Sequence, residues 1–193
     1  MDDFEITRIP AALPAIEADT MASGFDMPSE RRTGALLQLL AASKPNSQFL
    51  EIGTGTGLAT AWLLSGMDAY STLISVDADK KVSDIAFRHL GEDRRLTLIV
   101  DDASLWLQNM EEETFDLIFA DAMPGKYEHF DLVWKALSIG GFYVIDDMLP
   151  QDNWPDGHEA NVERLLSQIE SRTDCQFVKL DWSSGIVLVV RTR

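Results

Sequence analysis

Short apolar runs that close on acidic residues set the rhythm of this chain. Gln48–Ile52, Thr72–Val76, Leu96–Val100, Phe115–Ala120 and Gly141–Ile145 are near-continuous hydrophobic stretches. Runs of that length and character predict parallel strands covered on both faces. Between them the apolar period lengthens to that of helices. Gly57 to about Ser65 follows the first run, and Lys80–Leu90 follows the second, with Val82, Ile85, Ala86 and Leu90 on one face. A short helix with Leu105, Trp106 and Leu107 follows the third, and one after Gly125, with Phe130, Val133, Trp134 and Leu137, follows the fourth. A last helix spans about Gly157–Arg172, with Val162, Leu165, Leu166 and Ile169 as its stripe.

The two ends depart from this rhythm. Before the first strand, Pro10 to about Ala22 predicts a helix of weak periodicity, and Ser29 is placed to cap a second carrying Leu36, Leu37, Leu39 and Leu40. After the last helix, Cys175–Trp182 and Ile186–Val190 are two strands linked only by Ser183-Ser184-Gly185. So short a link makes an antiparallel hairpin. The expectation is one α/β domain over 1–193, with a helical cap segment at 1–45 and a sheet core at 46–193.

The chain's candidate chemistry lies where strands end. Phe49-Leu50-Glu51-Ile52-Gly53-Thr54-Gly55-Thr56-Gly57-Leu58 reads as strand, glycine turn and helix start. Glycine lets a ligand approach the backbone closely, and the helix start offers unpaired N–H groups. Glu51, Asp77, Asp101-Asp102, Asp121 and Asp146-Asp147 end five successive strands. In open α/β sheets that edge is the ligand crevice. Asp77 lies 20 residues beyond Gly57, the separation expected of an acid that holds ribose hydroxyls. Capping of the next helix is the competing role there, and it suits Asp79. A dinucleotide fingerprint, Gly-x-Gly-x-x-Gly, would put the third glycine one residue later, which counts against a NAD(P)-linked oxidoreductase.

The Glu-x-Gly-x-Gly-x-Gly pattern resembles motif I of class I methyltransferases that use S-adenosylmethionine (SAM). Asp121-Ala122 after the fourth strand, Tyr127, Gly140-Gly141 and Asp146-Asp147 more specifically resemble the catechol and caffeoyl-CoA O-methyltransferase family. The resemblance implies a Rossmann-like, doubly wound seven-stranded sheet of order 3-2-1-4-5-7-6, with helices on both faces. It implies SAM held by Glu51, Gly53, Thr54, Gly55, Gly57, Asp77, Ala78, Asp102, Ala103 and Asp121, with Asp101 competing for the role of Asp102. It also implies a small hydroxylated, catechol-like acceptor, a homodimer, and Mg²⁺ or Ca²⁺ on Asp121, Asp146 and Asp147, where hard oxygen ligands converge. Ser29 with Gly34-Ala35-Leu36-Leu37 resembles the segment that covers the SAM site.

Two departures stand out. The family has Asp-Asn where this chain has Asp146-Asp147. It also has a catalytic lysine three residues after the strand-four aspartate, where this chain has Pro124; Lys126 lies two positions further on. Lys126 is therefore either a catalytic group, with Asp121, or a solvated residue in a first helical turn. Loss of the lysine position keeps open a SAM-binding protein without efficient catalysis. The loop Leu149–Pro155 is a candidate lid, in which Trp154 packs on a flat substrate or anchors the loop; His158 after it is a candidate base or ligand.

Composition narrows the rest. The chain has 32 acidic against 16 basic residues, a net charge of −16. Such a surface repels phosphates and disfavours a nucleic acid substrate, including the hydroxylated tRNA bases some small methyltransferases modify. A single cysteine, Cys175, excludes an internal disulfide. The start Met1-Asp2-Asp3-Phe4-Glu5 lacks a signal peptide's basic region, and no apolar run reaches spanning length; the expectation is a cytoplasmic protein.

Overall fold

The computed structural model describes residues 5–112, 114–152, 154–155 and 157–193. Met1–Phe4 and the loop residues Asn153 and Asp156 therefore lie outside the described residues. Seven strands form one sheet: β1 (Gln48–Ile52), β2 (Thr72–Asp77), β3 (Leu96–Val100), β4 (Phe115–Ala120), β5 (Leu137–Ile145), β6 (Cys175–Leu180) and β7 (Ile186–Arg191). Their order is β3-β2-β1-β4-β5-β7-β6, as the resemblance implied. The first five are parallel, while β7 runs antiparallel between β5 and β6. β1 sits centrally, paired with β2 through Leu50↔Ile74 and with β4 through Leu50↔Ile118.

Helices cover the sheet: α1 (Leu13–Ser23), α2 (Arg31–Ala42), α3 (Leu58–Gly66), α4 (Lys80–Leu90), α5 (Ala103–Leu107), α6 (Met123–Lys126), α7 (Phe130–Ala136) and α8 (His158–Ser171). Two apolar layers result. One packs α5, α7 and α8 on the sheet through Leu107, Phe130, Trp134, Leu165 and Ile169. The other packs α1–α4 through Leu13, Ile16, Leu37, Trp62 and Ile85. Helix α3 is buried from Leu58 to Leu64, which is why its sequence is apolar all round rather than striped. Gly34 in α2 lies flush against it, since a Cβ there would fall 2.1 Å from the Trp62 ring.

Several boundaries differ from the pattern. β5 begins at Leu137, because Leu137 pairs with Phe115 ahead of a register shift. Leu137, expected on the apolar face of the preceding helix, thus belongs to the sheet. β6 stops at Leu180, and Trp182 leaves the ladder so that its Nε1 donates to the Arg32 carbonyl. Ser29 does not cap α2. The N-cap is Glu30, with no side-chain bond, and the Ser29 hydroxyl donates instead to Asp121. Helix α6 is a kinked turn, with Pro124 extended and Gly125 at φ +81°.

Candidate active site

A cavity of about 580 Å³ opens along the carboxyl ends of the strands. Its floor at one end is the glycine loop. Gly53, at φ +102°, brings its backbone against β4, where a Cβ would fall 2.8 Å from the Asp121 carbonyl oxygen. Asp77 spans the loop and the next helix start: its Oδ2 accepts from the Gly55 N–H at 2.7 Å, and its Oδ1 from the Asp79 N–H at 2.8 Å. Asp79 caps α4 by accepting from the Lys81 N–H at 2.8 Å, the role its position suggested. Residues 25–30 form the opposite wall, and the Ser29 bond to Asp121 (3.2 Å) ties that wall to β4.

Charged and aromatic groups gather at the other end of the cavity: Asp121, Lys126, Tyr127, Asp146, Asp147 and His158. Burial, then the neighbouring Asp146, pushes the Asp121 carboxyl well above the usual carboxylate range. Asp146 is also pushed up, chiefly by burial. Its Oδ1 accepts from the Ser184 hydroxyl at 2.6 Å and from the Asp147 N–H at 2.8 Å. Asp147 stands at φ +60°, and its Oδ2 accepts from Trp154 Nε1 at 2.9 Å. Tyr127 Oη and His158 Nε2 are 3.0 Å apart, and Trp154 lies over the His158 ring at 4.4 Å between centroids. Burial lowers the His158 pKa, favouring the neutral ring.

Lys126 is not a solvated residue of a helical turn. It is 3% exposed and lines the cavity. Its Nζ donates to the Asp146 carbonyl at 2.8 Å and lies 5.1 Å from the centre of the Tyr127 ring. The turn that points it inward is held from several sides. Tyr143 Oη donates to the Gly125 carbonyl, the Gly125 N–H donates to the Glu128 carbonyl at 2.7 Å, and Gly125 packs directly on Ile52.

Of the expected SAM-holding set, Gly53, Thr54, Gly55, Asp77 and Asp121 line the cavity. Glu51 does not face the crevice. It is fully buried beneath the loop, where its Oε2 accepts from the Thr60 and Ser75 hydroxyls, each at 2.5 Å. Burial raises its pKa to about 8. Gly57 also lies off the cavity wall: a Cβ there would fall 2.7 Å from that of Ala86, so this glycine lets α3 meet α4. Ala78, Asp102 and Ala103 are likewise not in the wall, and Asp102 caps α5 by accepting from the Ser104 N–H.

The expected metal set does not fit a metal as arranged. Asp121, Asp146 and Asp147 are engaged by Ser29, Ser184 and Trp154 respectively, and among the described residues no three acidic, histidine or cysteine groups are disposed to hold an ion. Arg31 and Arg32, at the start of α2, do not line the cavity. Arg31 pairs with Glu17 at 2.6 Å, and Arg32 stacks on Trp182. The pattern of the sequence did not reveal Ser184. Its signal was the β7 position beside β5, which brings the hairpin turn to the strand ends.

Comparison with known proteins places this architecture. Residues 50–148 match the family described as a methyltransferase domain. A protein of Mycolicibacterium vanbaalenii, provisionally named an O-methyltransferase, is 36% identical over 117 residues, covering 58% of this chain and 52% of that one. A similarly named protein of Mycolicibacterium smegmatis is 34% identical over 133 residues, 66% of this chain and 62% of that one. The chain thus spans between half and two thirds of these relatives' length. Among solved structures, the O-methyltransferase TomG of Streptomyces achromogenes, in complex with SAM, superposes with a TM-score of 0.82 at 22% identity, covering 98% of this chain and 93% of that one. An O-methyltransferase of Bacillus cereus, in complex with SAH, gives 0.82 at 21% identity over 97% and 94%. At such identities the likeness establishes the fold, whereas the matched residues 50–148 run from within β1 to just past β5 and include the glycine loop and every strand-end acid, Glu51 among them. This chain belongs to the methyltransferase-domain family.

Proposed function

We propose that the chain is a SAM-dependent methyltransferase that transfers the methyl group to a hydroxyl oxygen of a small acceptor. The observation that carries the reading is one cavity lined by the glycine loop and Asp77 at one end and by the half-buried Asp121 and the buried Lys126 at the other. The methionine part of SAM lies against Gly53–Thr56, and its ribose hydroxyls bond Asp77, whose oxygens retain acceptor capacity. The adenine then extends along Asp79 and Val82, which line that end of the cavity. The acceptor occupies the end walled by Tyr127 and Trp154, flat side chains suited to an aromatic ring.

Asp121 receives the acceptor's hydroxyl proton. In its ionised form, a carboxyl whose affinity for a proton is raised in this way is a stronger base than an ordinary carboxylate. The remainder of catalysis is positioning, with the oxygen aligned behind the methyl–sulfur bond. The acceptor O–H bond breaks, an O–CH₃ bond forms, and the sulfonium becomes a neutral thioether.

Calorimetric titration with SAM, and separately with NAD, tests this reading. SAM binding that Asp77→Ala abolishes, with methyl transfer to some member of a phenol panel, is the expected result. NAD binding without SAM binding would overturn it. SAM binding without turnover on any hydroxylated acceptor would leave a binding protein rather than an enzyme.

A further inference from the structure

We propose that Lys126 is the cation of the acceptor site, taking the place of a divalent metal, and that the acceptor therefore needs one aromatic hydroxyl rather than two adjacent ones. This rests on the methyltransferase reading and deepens it.

The geometry of the strand-end acids carries the inference. A metal here would draw on Asp121, Asp146 and Asp147, yet these carboxylates, turned toward hydroxyl, backbone N–H and indole donors, are not disposed together to hold an ion. Lys126 instead reaches the cavity from the α6 side, buried to 3% exposure. An ammonium carries three donors. Among the described residues, Lys126 Nζ makes one hydrogen bond, to the Asp146 carbonyl. A buried cation with donors to spare is costly unless other acceptors complete it. The acceptor oxygen, as it loses its proton, is such a group. Asp121 and Asp146 each feel the Lys126 charge, so the ammonium also counters the repulsion that a metal would otherwise relieve.

The turn is built to hold this arrangement. An extended Pro124, a left-handed Gly125 packed on Ile52, and the Tyr143 hydroxyl on the Gly125 carbonyl together fix the direction of the following residue. The lysine's displacement in sequence thus reflects a different way of delivering a charge to the same end of the cavity.

Acceptor chemistry follows from the cation. A divalent ion gathers several oxygens at once, which selects vicinal hydroxyls. A lysine ammonium is a compact point charge that serves a single oxygen as well as a pair. The bond changes are those given above, with the proton passing to Asp121 and SAM supplying the methyl group; Lys126 keeps its own protons throughout.

The test uses the purified full chain. Mn²⁺ titrated into the SAH complex should show no binding at millimolar concentration. Turnover of monohydroxylated phenols should match that of catechols and should be unchanged by EDTA. Lys126→Met should bind SAM as the wild type does but lose turnover by about 100-fold, the scale of removing one charge-stabilising donor. Lys126→Arg should restore part of it. Micromolar Mn²⁺ binding that Asp147→Ala removes would overturn the proposal. So would EDTA-sensitive turnover, a strict requirement for vicinal hydroxyls, or full activity in Lys126→Met. Should Lys126→Met fail to fold, the Mn²⁺ and EDTA measurements on the wild type still decide the assignment. Failure of the wild type to bind SAM would instead sink the methyltransferase reading and leave the Mn²⁺ result to judge the cation site separately.

Discussion

At the scale of single residues, Glu51 shows how a binding motif can be mostly scaffold. Its carboxyl sits under the glycine loop with no exposure, and Oε1 has no hydrogen-bond partner. In the folded chain its pKa is about 8, against 4.5 for an unperturbed glutamate. Below about pH 4.5 both the folded and unfolded forms are protonated and the residue is neutral for stability. As the pH rises from there to about 8, the unfolded chain gives up its proton while the folded chain keeps it, so stability falls. Above about 8 the cost is present in full. Glu51→Gln should therefore be close to neutral at about pH 5 and more stable than wild type by up to about 5 kcal/mol near pH 8.5, read from urea unfolding at the two pH values. An equal effect at both would mean that Glu51 ionises normally in the fold.

The elements were the most legible level in the sequence. Parallel strands buried on both faces must be short and apolar, so β1 to β4 could be placed almost to the residue. The hairpin of β6 and β7 followed from a link too short for a crossover. What sequence could not supply was direction within an element. Alternation along β1 does not tell that Glu51 points beneath the loop while the Gly53 backbone meets the cavity. Nor does a five-residue spacing after Asp121 tell that Lys126 turns inward. That depends on Tyr143 and Ile52, which lie on two other strands, meeting Gly125. Ser184 reaches Asp146 from 38 residues away, through a strand order that had to be taken from resemblance.

The same dependence makes α6 testable as an element. Gly125→Ala must place a Cβ 2.4 Å from Ile52 Cδ1 at a φ of +81°. That should cost about 1–3 kcal/mol in stability, the scale of such backbone strain. Tyr143→Phe removes only the tether to the Gly125 carbonyl and should cost about 1 kcal/mol. If the turn exists to aim Lys126, both variants should lower turnover while SAM affinity stays unchanged, measured by calorimetry beside initial rates. Reduced SAM affinity in step with turnover would show that the turn supports the whole cavity rather than the lysine.

For the whole molecule, the decisive quantity is charge. A net −16 surrounds a cavity whose walls include Glu30, Asp77, Asp79, Asp146 and Asp147. Besides His158, Lys126 is the basic residue among the lining set, and it is buried. A field of that sign concentrates cations at the mouth and repels anions, and salt screens it over about 8–10 Å. The proposed methyl donor, a sulfonium, is on the favoured side of this field. An acceptor bearing several phosphates or a carboxylate is on the other. At low ionic strength, kcat/KM for a phenol bearing an amine should exceed that for a neutral phenol, and a carboxylated phenol should be the poorest of the three. Raising the salt should lower the first, leave the second unchanged and raise the third. Steady-state rates on such a matched trio, across a salt series, check this directly. A carboxylated acceptor that is preferred at low salt, and loses its advantage as salt rises, would mean that a basic patch outside the cavity walls recruits the substrate, and that the acidic surface does not govern access.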